Sequence, residues 1–138
     1  MKIKSINPAN GGTLKTYDEM DAAEVAAAVK QAHETWTAWR KTSFAERAQL
    51  MTHAASILRE RKDELARLMA LEMGKPLKQG IAEAEKCAWV CDYYAENAEF
   101  QLAPDVIKTE GSNSYVAFEP LGVVLAVMPW NFPFWILT

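Results

Sequence analysis

The chain has 138 residues, half of them apolar and 24% charged, a globular balance that excludes a disordered chain and fits one ordinary domain. Its formal net charge of -3 and pI near 5.4 argue against nucleic acid as a partner, since phosphate binding needs a concentrated basic face. Arg59, Arg61 and Lys62 do stand together, but Glu60, Asp63 and Glu64 are interleaved with them, the pattern of a solvated helical surface.

Met1-Lys2-Ile3-Lys4 is followed by no apolar stretch, so no secretion signal is expected. The longest strongly apolar run, Leu121 to Trp130, is roughly half of what a membrane-spanning helix needs. The expectation is a cytoplasmic protein with no membrane partner. Cys87 and Cys91 fall at i and i+4 of a predicted helix, on one side of it and poorly directed for a disulfide. His33 and His53 lie on other predicted helices with no ligand spacing, so no metal site is expected. Two small, half-buried, reduced helix residues are the reading for the cysteines.

In chain order, Lys2 to Ile6 and Thr13 to Tyr17 read as two short strands around the turn-forming run Asn7-Pro8-Ala9-Asn10-Gly11-Gly12. Asp21 opens a helix, with Glu24 placed to complete a capping box. Val25, Val29, Ala32, Trp36 and Trp39 follow at spacings of three and four, predicting a buried stripe. Ser43-Phe44-Ala45-Glu46 is a second capping box, and Leu50, Ala54 and Ile57 are the predicted inner face of its helix. A third helix, Asp63 to Met73, carries Leu65, Leu68 and Met69 inward and stops at Gly74, with Pro76 beyond. The fourth and longest runs from Leu77 to Glu99. Its stripe of Ile81, Ala84, Ala88, Cys91 and Ala95, widened by Trp89 and Tyr93, calls for partners on more than one side.

After Pro104 the period changes. Asp105 to Thr109 and Ser114 to Glu119 alternate about Gly111-Ser112-Asn113, a hairpin signal. Leu121 to Val127 is continuously apolar, as in a strand covered on both faces of a parallel sheet, yet no later strand is supplied to pair with it.

Most catalytic templates fail. There is no Gly-rich phosphate loop, no nucleophile elbow, no zinc signature and no persuasive carboxylate pair. The segment Met128-Pro129-Trp130-Asn131-Phe132-Pro133 stands out, because ligands bind beyond the carboxyl ends of strands in open α/β sheets. Two prolines stiffen it around an amide side chain. The same residues could also simply plug the end of a sheet.

Val123 to Pro133 resembles the segment of the aldehyde dehydrogenase superfamily in which a strand runs into a Pro-Trp-Asn-Phe-Pro loop. Four other stretches resemble the family in its own order. They are Ser5-Ile6-Asn7-Pro8-Ala9, Trp36-Thr37-Ala38-Trp39-Arg40, Glu72-Met73-Gly74-Lys75-Pro76 and Glu119-Pro120-Leu121-Gly122-Val123. The style of Glu72 to Pro76 and of Trp89 to Ala95 is most similar to succinate-semialdehyde dehydrogenases. The resemblance implies an α/β fold. Residues 1–104 would be the helical amino-terminal part of a Rossmann-like cofactor domain, 105–119 an oligomerisation-type hairpin, and 120–138 the first sheet strand with its loop, cut short.

It also implies a reaction: a cysteine thiolate attacks an aldehyde, hydride passes from the thiohemiacetal to NAD or NADP, and a glutamate-activated water releases the acid. Asn131 matches the family's oxyanion donor, and Met128, Pro129, Trp130 and Asn131 match positions that approach the cofactor. The hairpin matches the arm that builds homo-oligomers; an edge ribbon on its own subunit is the other reading. The family's nucleophile, general base and glycine-bearing turn have no counterpart here, because Cys87 and Cys91 match the long helix. The chain is accordingly expected to be an amino-terminal portion, inactive alone, with a truncated remnant or a helical interaction module as the alternative.

Overall fold

The computed structural model describes residues 2–138. Strands β1 (Lys2–Ile6) and β2 (Thr13–Asp18) form an antiparallel ribbon with a bulge between Ser5 and Ile6. Its turn is closed by local bonds: Asn7 N–H donates to the Gly12 carbonyl, Gly11 N–H donates to the Asn7 carbonyl, and Gly11 holds φ at +70°.

Four helices follow: α1 (Ala22–Trp39), α2 (Phe44–Glu60), α3 (Lys62–Met73) and α4 (Leu77–Gln101). Both capping boxes expected from the sequence are present, Asp21 with Glu24 and Ser43 with Glu46. The Ser43 backbone and hydroxyl hold the Glu46 carboxyl below its usual range. Gly74 ends α3 in the left-handed region at φ +78°, and Pro76 precedes the first turn of α4.

Helix α4 packs against both α2 and α3. The core between them is built from small residues: Ala55 on α2, Ala66 on α3, and Ala84, Cys87, Ala88 and Cys91 on α4. Gly80 sets the approach of α3 to α4, since a Cβ there would stand 2.9 Å from both Cα and Cβ of Ala66. Burial is deeper than expected for the two cysteines, which are 0% and 3% exposed and free.

The helix faces differ from the sequence expectation in several places: Leu68 on α3 and Trp89 and Tyr93 on α4 are exposed, and α2 and α1 depart further. On α2 the inner face is Met51, Ala54, Ala55 and Leu58, whereas Leu50 and Ile57 are exposed. Two adjacent apolar stripes run along α2, and α4 covers the one rotated by a single position. On α1 nothing is buried: Val25, Val29 and Trp39 are exposed, and the expected core stripe meets another helix at its end, where Arg47 of α2 faces the Trp39 ring. Periodicity reports that a face is apolar and says nothing of what covers it.

The hairpin is present but short, with β3 (Asp105–Val106) paired antiparallel to β4 (Tyr115–Val116). Leu121 to Val127, expected as a sheet strand, joins no ladder; Leu121, Leu125 and Val127 are more than four-fifths exposed. A strand is defined by its neighbour, and none runs alongside. Among the described residues no helix is long and apolar enough to cross a membrane.

Candidate functional site

The loop Met128 to Pro133 is fixed by side chains from the junction between α3 and α4. Trp130 Nε1 donates to the Glu72 carbonyl at 3.1 Å. Lys75 Nζ donates to the Asn131 carbonyl at 2.7 Å and stands 4.0 Å from the centre of the Phe132 ring. Past Pro133 the chain bends into helical turns, and its first free N–H groups find a carboxylate. Glu83 Oε1 accepts from Phe134 N–H at 3.0 Å and from Trp135 N–H at 3.1 Å. Glu83 thus caps these turns from another element, as a side chain caps the free N–H groups at a helix start. Its other oxygen pairs with Lys75 Nζ.

Among the described residues Lys75 and Glu83 are the two buried charged ones, at 5% and 4% exposure. A buried charge is tolerated when it is paired and its remaining valences are satisfied, and here the loop backbone satisfies them. All of this hardware grips the backbone and rings around Asn131. The carboxamide of Asn131, itself an exposed residue, is outside the network.

The four predicted site residues are therefore contiguous at one place, with Met128 half-buried and Pro129, Trp130 and Asn131 exposed. The indole N–H of Trp130 is spent on Glu72, which leaves the ring face as the surface it presents. Sequence reasoning missed Lys75 and Glu83 as members. One signal was available: Glu83 falls on the buried stripe of α4, beside Gly80, Ala84 and Cys87, where a carboxylate requires a partner. Nothing in the spacing identifies Lys75 as that partner.

The stretches that stood apart in sequence meet in two groups, one at this junction and one between α1 and the segment before the loop. Ser5 Oγ donates to Glu72 Oε1 at 2.9 Å, tying the ribbon to the end of α3, and Pro8 lies against Gly74. Arg40 stacks over Trp36 and pairs with Glu119 at 3.5 Å, and Gly122 lies beside the Trp36 ring. A separate apolar groove, lined by Trp39, Phe44, Leu50, Met51, Tyr94 and Leu102, shares no residue with the loop. Among the described residues no group of three or more His, Cys, Asp or Glu could hold a metal. Burial pushes the Cys87 and Cys91 thiols above their ordinary range, the reverse of what a thiolate nucleophile needs.

Residues 1–138, the whole chain, match the sequence profile of the Aldehyde dehydrogenase family, and the chain belongs to that family. A probable NADP-dependent succinate-semialdehyde dehydrogenase from Synechocystis is 52% identical over 135 residues, covering 98% of this chain and 30% of that protein. An NADP-dependent succinate-semialdehyde dehydrogenase from Mycobacterium avium is 50% identical, over 98% of this chain and 29% of its own length. The crystal structure of succinic semialdehyde dehydrogenase from Streptococcus pyogenes with NADP superimposes with a TM-score of 0.90 at 33% identity, over 97% of this chain and 30% of that one. The chain thus spans about 30% of the length of the relatives it matches.

Proposed function

We propose that residues 1–138 supply the amino-terminal part of the cofactor domain of an NADP-dependent aldehyde dehydrogenase acting on succinate semialdehyde in the cytoplasm. The observation that carries this reading is the loop around Asn131: its backbone is clamped on both sides while its carboxamide is left exposed. A preorganised N–H donor of this kind stabilises negative charge as it develops on a carbonyl oxygen. The open ring face of Trp130, with Pro129 and the half-buried Met128 beside it, suits the flat contact of a nicotinamide nucleotide. Held against this loop, NADP would supply a hydride acceptor for the oxidation that follows nucleophilic addition to the aldehyde. The residues of this chain orient the carbonyl and its oxygen and exclude water from one side. The nucleophile is assigned to the region of the relatives that this chain does not span, because both of its own thiols are buried and held protonated.

The hairpin at residues 105–119 is proposed as the arm for homo-oligomers. In support, both of its strands are exposed, so Val106, Tyr115 and Val116 are open to a second subunit.

The test is a full-length enzyme in which residues 1–138 replace the matching part of the Synechocystis relative. It is expected to reduce NADP with succinate semialdehyde. Asn131→Ala in that enzyme is expected to lower kcat by about 100- to 1000-fold with little change in KM for NADP. A folded oligomer without turnover would overturn the reading, and unchanged kcat in the Asn131 variant would remove that residue from the mechanism.

A further inference from the structure

We propose that Lys75 and Glu83 are positioning residues that aim the Asn131 carboxamide, an inference resting on the oxyanion role just assigned to Asn131. The other ion pairs that tie α4 to its neighbours, Lys62 with Glu85 and Arg59 with Asp92, lie at the surface, whereas Lys75 and Glu83 are buried, where a hydrophobic pair would pack at no desolvation cost. Helix packing alone does not explain the presence of the charged pair, whereas its hydrogen bonds do. Apart from the bond between them, every hydrogen bond of the two side chains goes to residues 131, 134 and 135.

The geometry specifies what the pair does. Lys75 takes the carbonyl of Asn131 itself, and so fixes the peptide plane that follows the Asn131 Cα. Its ammonium also faces the ring of the next residue, Phe132. Glu83 takes the N–H groups of Phe134 and Trp135, which stops the chain beyond Pro133 from swinging. Upstream, the Trp130 indole is held on the Glu72 carbonyl. With both flanks held, the torsions of the Asn131 side chain are the main freedom left at that residue. Lys75 can reach the loop because Gly74 turns left-handed and Pro76 starts α4, leaving Lys75 in the short gap between two helices. A misplacement of about 1 Å in a reacting geometry costs on the order of 100-fold in rate. The bonds to Lys75 and Glu83 prevent a shift of that kind.

The experiment is a double-mutant cycle in the full-length enzyme carrying residues 1–138, with Lys75→Met, Glu83→Gln and Asn131→Ala. Lys75→Met is expected to lower kcat by about 10- to 100-fold while KM for NADP stays within about twofold. In the Asn131→Ala background it is expected to lower kcat no further, because the group it aims is gone. Lys75→Arg, which keeps a donor in reach, is expected to recover part of the loss. Equal losses with and without Asn131 would show a role in general folding and overturn the proposal, as would full turnover in Lys75→Met. Failure of the underlying assignment has a different signature, namely full turnover in Asn131→Ala alone. Should Lys75→Met not fold, Glu83→Gln enters the same cycle, and hydrogen exchange gives a second reading. The Phe134 and Trp135 amides are expected to be protected in the parent and to exchange at least tenfold faster in Glu83→Gln; unchanged protection would overturn the clamp.

Discussion

Lys75 and Glu83 show why chemistry at single residues is hard to read from a linear sequence. Asn131 could be singled out in the sequence because two prolines and two aromatic residues mark it as a stiffened polar position after an apolar run, and the role proposed for it comes from the family resemblance. Its supports carried no such mark, since a lysine and a glutamate eight positions apart across a proline look like any surface pair. The cysteines were legible in the main: their shared helix face and lack of ligand spacing argued for inert thiols, and only the depth of burial exceeded the expectation. Burial raises both thiol pKa values, with Glu83 adding to the effect on Cys87 and Asp92 to that on Cys91. A raised thiol pKa means that the folded state holds its proton more tightly. The associated stability is present below the ordinary cysteine value and is lost as pH rises through the folded one. A disulfide reagent is therefore expected to label neither thiol quickly at pH 7 and both quickly in urea. Rapid labelling of the folded chain would contradict the burial of Cys87 and Cys91.

At the scale of elements, local signals were read well and partnership poorly. Caps, stops and the change of period after Pro104 are written into neighbouring residues, and the helix boundaries agree to within two residues. The covered face of α2 was misassigned because two apolar stripes adjoin on it, and the choice between them belongs to α4. Gly80 provides a test of that packing. In an exposed helix, Gly→Ala stabilises by about 1 kcal/mol. Here the added methyl would meet the backbone of Ala66 on α3 at 2.9 Å, so Gly80→Ala is expected to destabilise by about 1–3 kcal/mol instead. The shift of the urea midpoint reads the sign directly, and a more stable variant would mean that α3 and α4 are less closely applied.

The whole molecule carries more apolar surface than its core uses. The stripe of α1, the segment Leu121 to Val127 and the outer stripe of α2 are all open. Isolated monomers rarely expose contiguous apolar surface on that scale. The purified 138-residue chain is therefore expected to bind a hydrophobic dye and to melt over a broad range; no aldehyde-dependent NADP reduction is expected from it. A sharp calorimetric transition without dye binding would show that α2, α3 and α4 suffice as a cooperative unit. Fold class and family were legible because they are spread over the chain as separate short stretches, and the ribbon, the α3–α4 junction and the loop bring most of them together. The strand at residues 121–127 was legible as a composition and not as a structure, for the reason that pairing is a property of two segments.

The direction in which the loop finds its anchors has a consequence for biosynthesis. Glu72, Lys75 and Glu83 all precede it in the chain, so a ribosome delivers the anchors before the segment they hold. The α3–α4 junction can form first, and residues 130–135 then dock onto it as they emerge, in step with vectorial synthesis. The loop geometry proposed above to orient a carbonyl is thereby settled as soon as residue 135 has emerged, on helices that were made before it.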